Sequence, residues 1–185
     1  GYGSARMAEI AASVDAVDVA EDAIEHARRQ FQRVNLCFRS IDQAVPLPFA
    51  DGVFDTVLSF QVFEHVTNVA HYLSEIRRVL APGGCLLLVT PDRSTRLLPG
   101  QRPWNRWHVR EYDAASLVAK LSPYFPGVEI QQMSGRRDVI DVELRRCRRL
   151  KWMTLLFTLP FFPDTARVSL LNAIHALRGR PEAGG

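Results

Sequence analysis

The 185-residue sequence contains little cysteine and no long uncharged apolar run. The cysteines are far apart and form no CxxC pair: Cys37, Cys85 and Cys147. Their spacing indicates neither a zinc site nor a disulfide framework, and the sequence predicts no metal site. Thiols without disulfide partners suit a reducing cytoplasm, which is the predicted location. The longest uncharged apolar segment, 152–163, is too short to cross a bilayer as a helix.

A large excess of charge of either sign is also missing. Lysine and arginine total 23 against 20 acidic residues, which gives a net charge of +3 and a pI near 9.0. This mild basicity is too weak to indicate a nucleic-acid partner, and none is predicted. The apolar fraction of 47% and the charged fraction of 23% are typical of a soluble globular protein.

What the sequence does contain is a regular alternation of apolar runs and amphipathic segments. The runs predict strands at 14–19, 35–41, 54–60, 85–90 and 128–133. The amphipathic segments predict helices at 4–13, 21–33, 67–80 and 113–121. This order predicts an α/β fold with a doubly wound, mostly parallel sheet that binds ligands at its carboxyl edge. Residues 91–110 are predicted to form a long loop, and loops of that length are often functional.

Asp18 closes the first of these strands and is the first candidate for a functional residue. A carboxylate at the carboxyl end of such a strand can face the two vicinal hydroxyls of a nucleoside ribose. The alternative is that Asp18 caps the helix that begins near Glu21, and one residue can do both. Upstream, Gly1 and Gly3 would allow backbone to approach the same ligand closely, although an ordinary turn would use glycine too.

Three segments in order resemble the class I S-adenosylmethionine-dependent methyltransferases. They are GYGSARMAEIAASVDAVDVAEDAIEHARRQF (1–31), LPFADGVFDTVLSFQVFEHV (47–66) and EIRRVLAPGGCLLLVTPDR (75–93). The resemblance covers roughly residues 1–125 and is greatest to the type 11 domain of the small-molecule and glycan branch. It implies a Rossmann-like fold and S-adenosyl-L-methionine as cofactor. The family's first strand, with its acidic residue and earlier glycines, is absent, so the chain is expected to be truncated at its N-terminus.

The resemblance assigns cofactor contacts to the glycine turn and to the ends of three strands. The residues concerned are Gly1, Gly3, Asp18, Val19, Ile41, Asp42, Gln43, Ser59, Phe60 and Gln61. It places the two glycines beside the methionine part, the Asp18 carboxylate at the ribose and Val19 on the adenine. Asp42 is placed at the adenine amino group, with Gln43 sharing that role, and Ile41 covers the ring. The alternative for Asp42 is an acid in a solvated loop.

Three residues are candidates for the chemistry. Glu64 and His65 are a signature of the family, and they are either an acid/base pair or a brace for the turn after the strand. His108 lies in segment 105–112, which resembles an NPxHVREY-like sequence in one branch of the family. It is either the base that takes a proton from a substrate hydroxyl or a residue that ties the loop down. Trp104 and Trp107 are interpreted as walls of the acceptor pocket or as core aromatics.

The sequence changes character after the predicted methyltransferase domain, which we place at 1–135. Residues 136–185 are predicted to form a helical extension or lid, which begins with a basic segment and continues into the apolar run. The extension either packs on the domain or makes peripheral contact, through 145–162, with the inner face of a membrane or a lipid-linked substrate.

The predicted function is methyl transfer from S-adenosyl-L-methionine to a small-molecule, sugar or lipid-linked acceptor, at an oxygen. The alternative is a methyltransferase-like binding module without catalysis. An NAD-dependent enzyme would share the sheet and the ribose carboxylate, but the SFQVFEHV segment disfavours it. A nucleic-acid methyltransferase is disfavoured because no Asn-Pro-Pro-aromatic motif follows the strand at 54–60.

Overall fold

The computed structural model describes residues 1–133 and 135–178, which fall into two compact units, Gly1–Asp51 and Gly52–Gly185. The described helices, in chain order, are α1 (Tyr2–Met7), α2 (Glu21–Gln30), α3 (Val69–Val79), α4 (Arg93–Arg96), α5 (Ala114–Leu121), α6 (Arg137–Met153), α7 (Leu155–Thr158) and α8 (Asp164–Arg178). The described strands are β1 (Val14–Asp18), β2 (Leu36–Ser40), β3 (Phe54–Phe60) and β4 (Leu80–Val89). The predicted α/β class is confirmed, and each strand pair is parallel.

The first unit is built on the parallel pair β1 and β2, in register from Val14 opposite Leu36 to Asp18 opposite Ser40. Helix α2 connects the two strands, with acidic residues in its first turn and arginines in its last, as the helix dipole favours. Its buried residues Ile24 and Ala27 pack with Phe38 to form the core of this unit. Both strands therefore end at the same edge.

The second unit begins with the parallel pair β3 and β4, joined by a 3-10 turn at Phe63–His65 and by α3. The register shifts between Phe54 and Thr56, where Gly83 has a φ of +81°. A Cβ on Gly84 would lie 2.9 Å from the Ala81 carbonyl oxygen and 3.0 Å from that of Asp55. Only glycine fits this close approach, so the Pro82–Gly84 irregularity fixes where β4 pairs with β3.

Two apolar clusters hold the second unit together around the segment after β4. Phe63, Leu73, Tyr112 and Leu121 form one, in which the rings of Phe63 and Tyr112 stack with centroids 4.8 Å apart. The other is centred on Trp104 and contains Leu97, Cys147, Leu150 and Leu171. The second cluster therefore packs the loop at 91–110 against α6 and α8.

Buried polar contacts reinforce that packing. Gln101 is 2% exposed, and its amide donates to the Thr158 hydroxyl at 2.8 Å and to the Lys151 carbonyl at 3.0 Å. The C-terminal helices thus pack against the segment after β4 within the second unit. Trp152, Leu156 and Phe161 nevertheless stay exposed. Among the described residues no helix has both the length and the apolar character needed to cross a bilayer.

Several sequence predictions hold closely and others need correction. Strand 54–60 is confirmed at its predicted bounds, and Asp113 caps α5 through a capping box with Ser116. The predicted helix 4–13 is too long, because α1 ends at Met7 and a turn follows. The predicted strand 128–133 is wrong: these residues join no ladder in the part of the chain that the structure describes. Apolar residues there find no strand partner, and Met133 is 75% exposed.

A further correction concerns the surroundings of the strands. The apolar run at 54–60 predicts a strand covered on both faces, yet Leu58 of β3 is 38% exposed and Leu87 of β4 is 50% exposed. The predicted boundary between 1–135 and 136–185 stays a prediction.

Candidate functional site

The carboxyl edge of the first unit presents exposed carboxylates. Asp18 ends β1, and its Oδ1 accepts a hydrogen bond from the Ala20 N–H at 2.9 Å. Ala20, rather than Asp18, is the N-cap of α2, so the capping alternative is not what the structure shows. The Ile41 N–H donates to the Asp18 carbonyl oxygen at 3.0 Å, which holds the end of β1 beside the chain that leaves β2.

Asp42 lies one residue further along that same chain. Its Oδ1 accepts from the Ala44 N–H at 2.8 Å, and the side chain is exposed. Val19 is 49% exposed and Ile41 is half-buried, so two apolar surfaces accompany two carboxylates at one edge. This donor set fits a nucleoside, whose ribose offers hydroxyl donors and whose base offers a flat apolar face. Gln43 is exposed in the same turn.

The two N-terminal glycines have different surroundings. Gly1 is the N-cap of α1, and a Cβ there would lie 2.5 Å from the Phe31 ring and 2.8 Å from the Ala27 side chain. Gly3 lies inside α1 instead of before it, and a Cβ there would meet nothing within 4 Å. Packing on α2 therefore explains Gly1. The cofactor contacts assigned to both glycines stay predictions.

At the carboxyl edge of the second unit the backbone is strained. Gln61, directly after β3, has a φ of +54°, and it is the only non-glycine residue with positive φ among those described. Its N–H donates to the Val89 carbonyl at 2.8 Å, so it continues the ladder while turning the chain into the 3-10 turn. Non-glycine residues in this conformation concentrate at functional sites.

The two residues before Gln61 differ in exposure. The Ser59 hydroxyl is buried and shares a hydrogen bond of 2.8 Å with the Tyr72 hydroxyl, whereas Phe60 is 50% exposed. Burial, and to a smaller degree the nearby Glu64 carboxylate, raise the pKa of Tyr72 above its ordinary value. Ser59 is thus engaged within the fold by its side chain, which leaves its backbone as the part that a ligand could contact.

Glu64 connects this edge to the loop after β4. It is 1% exposed, and its Oε2 accepts from the Thr90 hydroxyl at 2.9 Å. Its carbonyl oxygen accepts from the N–H groups of Val109 at 2.8 Å and Arg110 at 3.2 Å. Its Oε1 is buried and has no hydrogen-bond partner among the described residues. Glu64 therefore braces the turn and also carries an unsatisfied buried acceptor.

The two histidines lie beside each other next to Glu64. His65 Nδ1 is 2.8 Å from the Trp107 carbonyl oxygen, and His108 Nδ1 is 2.6 Å from Glu111 Oε1. Their rings meet edge to face with centroids 4.9 Å apart, and His108 is 8% exposed. One potential ligand atom from each of Glu64, His65 and His108 lies within 4.8 Å of the other two. The structure thus brings together all three residues predicted for the chemistry.

Sequence reasoning did not identify the residues that support this group. Glu111 has a side chain with no exposed area and accepts from Arg96 Nε at 3.0 Å, while the Arg96 guanidinium lies 4.2 Å from the centre of the Trp104 ring. The position of Glu111 three residues after His108 was a signal that could have been used. No sequence signal pointed to Arg96, because the segment that forms α4 was predicted to be a loop. Trp104 proves to be a core aromatic, whereas Trp107 is 62% exposed.

Comparison with known proteins agrees with a Rossmann-like methyltransferase fold. Residues 1–88 match the methyltransferase domain family. A probable S-adenosylmethionine-dependent methyltransferase of Mycolicibacterium smegmatis is 37% identical over 136 residues, which are 73% of this chain and 51% of that protein. A protein of the same description from Mycobacterium tuberculosis is 33% identical over 159 residues, 79% of this chain and 57% of its own length. The chain thus spans about half the length of the curated relatives it matches.

A solved structure extends the agreement to the fold. The S-adenosylmethionine-dependent methyltransferase of Mesorhizobium loti superposes with a TM-score of 0.57 at 16% identity, covering 79% of each chain. The part of the chain that these comparisons cover therefore belongs to the class I S-adenosylmethionine-dependent methyltransferases. The cofactor that this family implies is S-adenosyl-L-methionine, and the exposed carboxylates and apolar surfaces at the end of β1 and β2 suit its nucleoside part.

Proposed function

We propose that this protein transfers a methyl group from S-adenosyl-L-methionine to a hydroxyl oxygen of a small-molecule, sugar or lipid-linked acceptor. The observation that carries the proposal is the group formed by buried Glu64, half-buried His65 and buried His108 at the carboxyl edge of β3 and β4. A binding module would have no need to gather a buried carboxylate and two imidazoles at that edge, because burying polar groups costs free energy unless they are satisfied.

The cofactor contacts form the first part of the proposal. Asp18 would accept hydrogen bonds from the ribose hydroxyls, and Val19 and Ile41 would cover the adenine. Asp42 and Gln43 would accept and donate at the base edge. The backbone at 59–61, Gly1 and Gly3 are the remaining proposed contacts. When bound, the cofactor supplies an electrophilic methyl group on a sulfonium, whose leaving group is a neutral thioether.

The chemical step asks little of the protein beyond orientation and proton removal. In this transfer His108 would face the acceptor hydroxyl and take, at Nε2, the proton that the hydroxyl loses on methylation. The Glu111 carboxylate accepts the Nδ1–H of His108, which sets the tautomer that leaves Nε2 able to take a proton. Arg96 in turn holds Glu111 in place. Proximity and orientation supply the remaining rate.

The first experiment measures cofactor binding. Calorimetric titration of the chain with S-adenosylhomocysteine should show one site, and Asp18→Asn should weaken it by about tenfold, since a hydrogen bond to a charged acceptor contributes roughly 1.5–3 kcal/mol. Asp22→Asn, on an exposed side chain in the first turn of α2, is the matched control. Equal affinities of Asp18→Asn and the unaltered protein would contradict the assignment of Asp18.

The second experiment separates catalysis from binding alone. Isotope-labelled S-adenosyl-L-methionine is offered with a panel of phenolic, sugar and lipid-linked hydroxyl acceptors. His108→Gln should lower turnover by about a hundredfold or more, as loss of general-base catalysis does, while S-adenosylhomocysteine affinity stays unchanged. His26→Gln, exposed on α2, should do neither. A chain that binds S-adenosylhomocysteine but labels no acceptor would favour the binding module.

A further inference from the structure

Three hydrogen-bond acceptors converge after β3, and the described residues provide no donor that joins them. Glu64 Oε2 is occupied by the Thr90 hydroxyl, whereas Oε1 is buried and unpartnered. Glu64, His65 and His108 each offer one potential ligand atom, a carboxylate oxygen or a ring nitrogen, and these three atoms all lie within 4.8 Å of one another. A buried carboxylate oxygen without a partner is costly, so this arrangement calls for a cation or a donor.

The outer partners determine which nitrogen of each histidine faces the group. A backbone carbonyl can only accept, so His65 Nδ1, which lies 2.8 Å from the Trp107 carbonyl oxygen, carries the proton. Glu111 Oε1 accepts from Arg96 Nε at 3.1 Å and lies 2.6 Å from Nδ1 of His108, so it serves as the acceptor there and Nδ1 of His108 also carries its proton. In each neutral imidazole the lone pair is therefore on Nε2. This is the arrangement that metal-binding histidines adopt, with the second nitrogen donating to a carboxylate or a carbonyl.

From this geometry we infer that Glu64, His65 and His108 form a binding site for one divalent first-row transition-metal ion. One carboxylate oxygen and two imidazole nitrogens are a donor set suited to Zn²⁺ and its neighbours, not to Mg²⁺, which prefers oxygen ligands alone. Zn²⁺ binds such ligands at about 2.0–2.2 Å, which puts tetrahedral ligand atoms about 3.4 Å apart, so a pair at the 4.8 Å limit would have to close by about 1.4 Å to share an ion. His65 is only half-buried, so one side of the site faces solvent.

Three protein ligands leave a coordination position open, as in catalytic sites. The inference that an acceptor hydroxyl takes this position rests on the proposed function, whereas metal binding itself does not. A hydroxyl bound to Zn²⁺ loses its proton far more readily, so the ion would replace His108 as the means of activating the acceptor. The sequence predicted no metal site because the two histidines are far apart in the chain and no cysteine takes part.

The test is a calorimetric titration of the chelator-treated, folded chain with ZnCl₂. One ion per chain is expected, with His65→Gln and Glu64→Gln each weakening affinity at least tenfold and His26→Gln leaving it unchanged. Because Cys37 and Cys85 are exposed thiols, the titration is done in a Cys37→Ser, Cys85→Ser background. Co²⁺ in place of Zn²⁺ should give visible absorption bands that His65→Gln abolishes.

Failure of the inference and failure of the proposed function give different results. If the folded chain binds no Zn²⁺, or if His65→Gln binds it as tightly as the parent, the metal site is refuted. Methyl transfer that persists without metal would leave the proposed function standing with His108 as base. Circular dichroism shows whether the buried Glu64→Gln variant folds. If it does not, the Zn²⁺ affinity of His65→Gln alone tests the metal site, because the His65 side chain is partly exposed and its replacement should not prevent folding.

Discussion

The carboxyl edges of the two units place polar side chains in contrasting ways. Asp18 and Asp42 in the first unit are exposed, and each carboxylate accepts one hydrogen bond from a backbone N–H two residues later. Glu64, His108 and Glu111 in the second unit are all less than 10% exposed. Their side-chain partners include Thr90, directly after β4, and Arg96 of α4. One edge is assembled from local contacts, and the other from contacts distant in sequence.

The two edges should differ in how strongly their polar side chains affect the stability of the fold. An exposed carboxylate keeps its hydration and can be replaced with little effect on folding. A buried ion pair loses hydration that its partners must offset, and removing one partner leaves the other charge buried and unpaired. We therefore expect the first edge to be sensitive in ligand binding only, and the second to be sensitive in both folding and chemistry.

The largest effect is expected where Glu111 is removed. Glu111→Leu leaves the Arg96 side chain, which is 11% exposed, with only the more distant Glu143 carboxylate at 3.9 Å, and it leaves His108 without an acceptor for Nδ1–H. The free energy of unfolding in urea should fall by about 3–5 kcal/mol. Glu25→Leu is the matched control, since the side chains of Glu25 and Arg29 on α2 are each more than half exposed and their pair should contribute under about 1 kcal/mol. Equal losses in the two variants would contradict the contrast.

A smaller change of opposite sign is expected at the strained residue of the second edge. Gln61→Gly removes the steric cost of a φ of +54° and should raise the free energy of unfolding by roughly 0.5–1 kcal/mol, the part of the strain that survives the greater freedom of glycine in the unfolded chain. Gln43→Gly, where φ is not positive, should lower it. A loss at both positions would show that the Gln61 side chain stabilises the turn by more than its strain costs.

The third prediction concerns pH and the half-buried carboxylate of Asp113, which lies outside both edges. Hydrogen bonds from the backbone and side chain of Ser116 hold the pKa of Asp113 below its ordinary value. A lowered pKa means that Asp113 stabilises the fold above about pH 4 and that this contribution is lost as the pH falls through its folded pKa. The difference in melting temperature between Asp113→Ala and the parent should therefore shrink between pH 7 and about pH 2. Asp141→Ala, exposed on α6, should change the melting temperature less at pH 7.

The smallest effect on folding is expected at the first edge. In Asp18→Asn the amide oxygen can still accept from the Ala20 N–H, so the free energy of unfolding should change by less than about 0.5 kcal/mol. Urea unfolding measures it alongside the cofactor titration. A fall of more than about 2 kcal/mol in the free energy of unfolding would mean that Asp18 stabilises the fold. A weaker affinity of Asp18→Asn for S-adenosylhomocysteine would then not show that Asp18 contacts the ligand.

The sequence predicted best those features that depend on neighbours in the chain. Strand 54–60 and the Asp113 cap follow from local periodicity and capping chemistry, and both are confirmed. Strand 128–133 failed because an apolar run becomes a strand only where a partner strand is available. The sequence placed Gln61 at the end of the strand at 54–60, but it gave no sign of the positive φ of this residue.

The candidate site divides in the same manner. Asp18 was identified because it closes a strand and Asp42 because of the family resemblance, and the structure leaves both exposed as a ligand contact requires. Glu64, His65 and His108 were each marked from sequence, but their convergence depends on backbone bonds between Glu64 and the loop at 109–110. The contacts of Glu111 with His108 and Arg96 could not be predicted from the sequence, because they depend on the tertiary structure.

The Trp107 carbonyl that accepts from His65 belongs to a residue whose indole is 62% exposed and lies 4.4 Å from the Arg106 guanidinium carbon. Any ligand that reorients the His65 ring must alter this backbone bond and, with it, the stacking of the indole. The fluorescence of Trp107 should therefore change when a ligand occupies the site. Trp107→Phe should remove the emission change that accompanies occupation of the site while Trp104, packed in the core, continues to fluoresce.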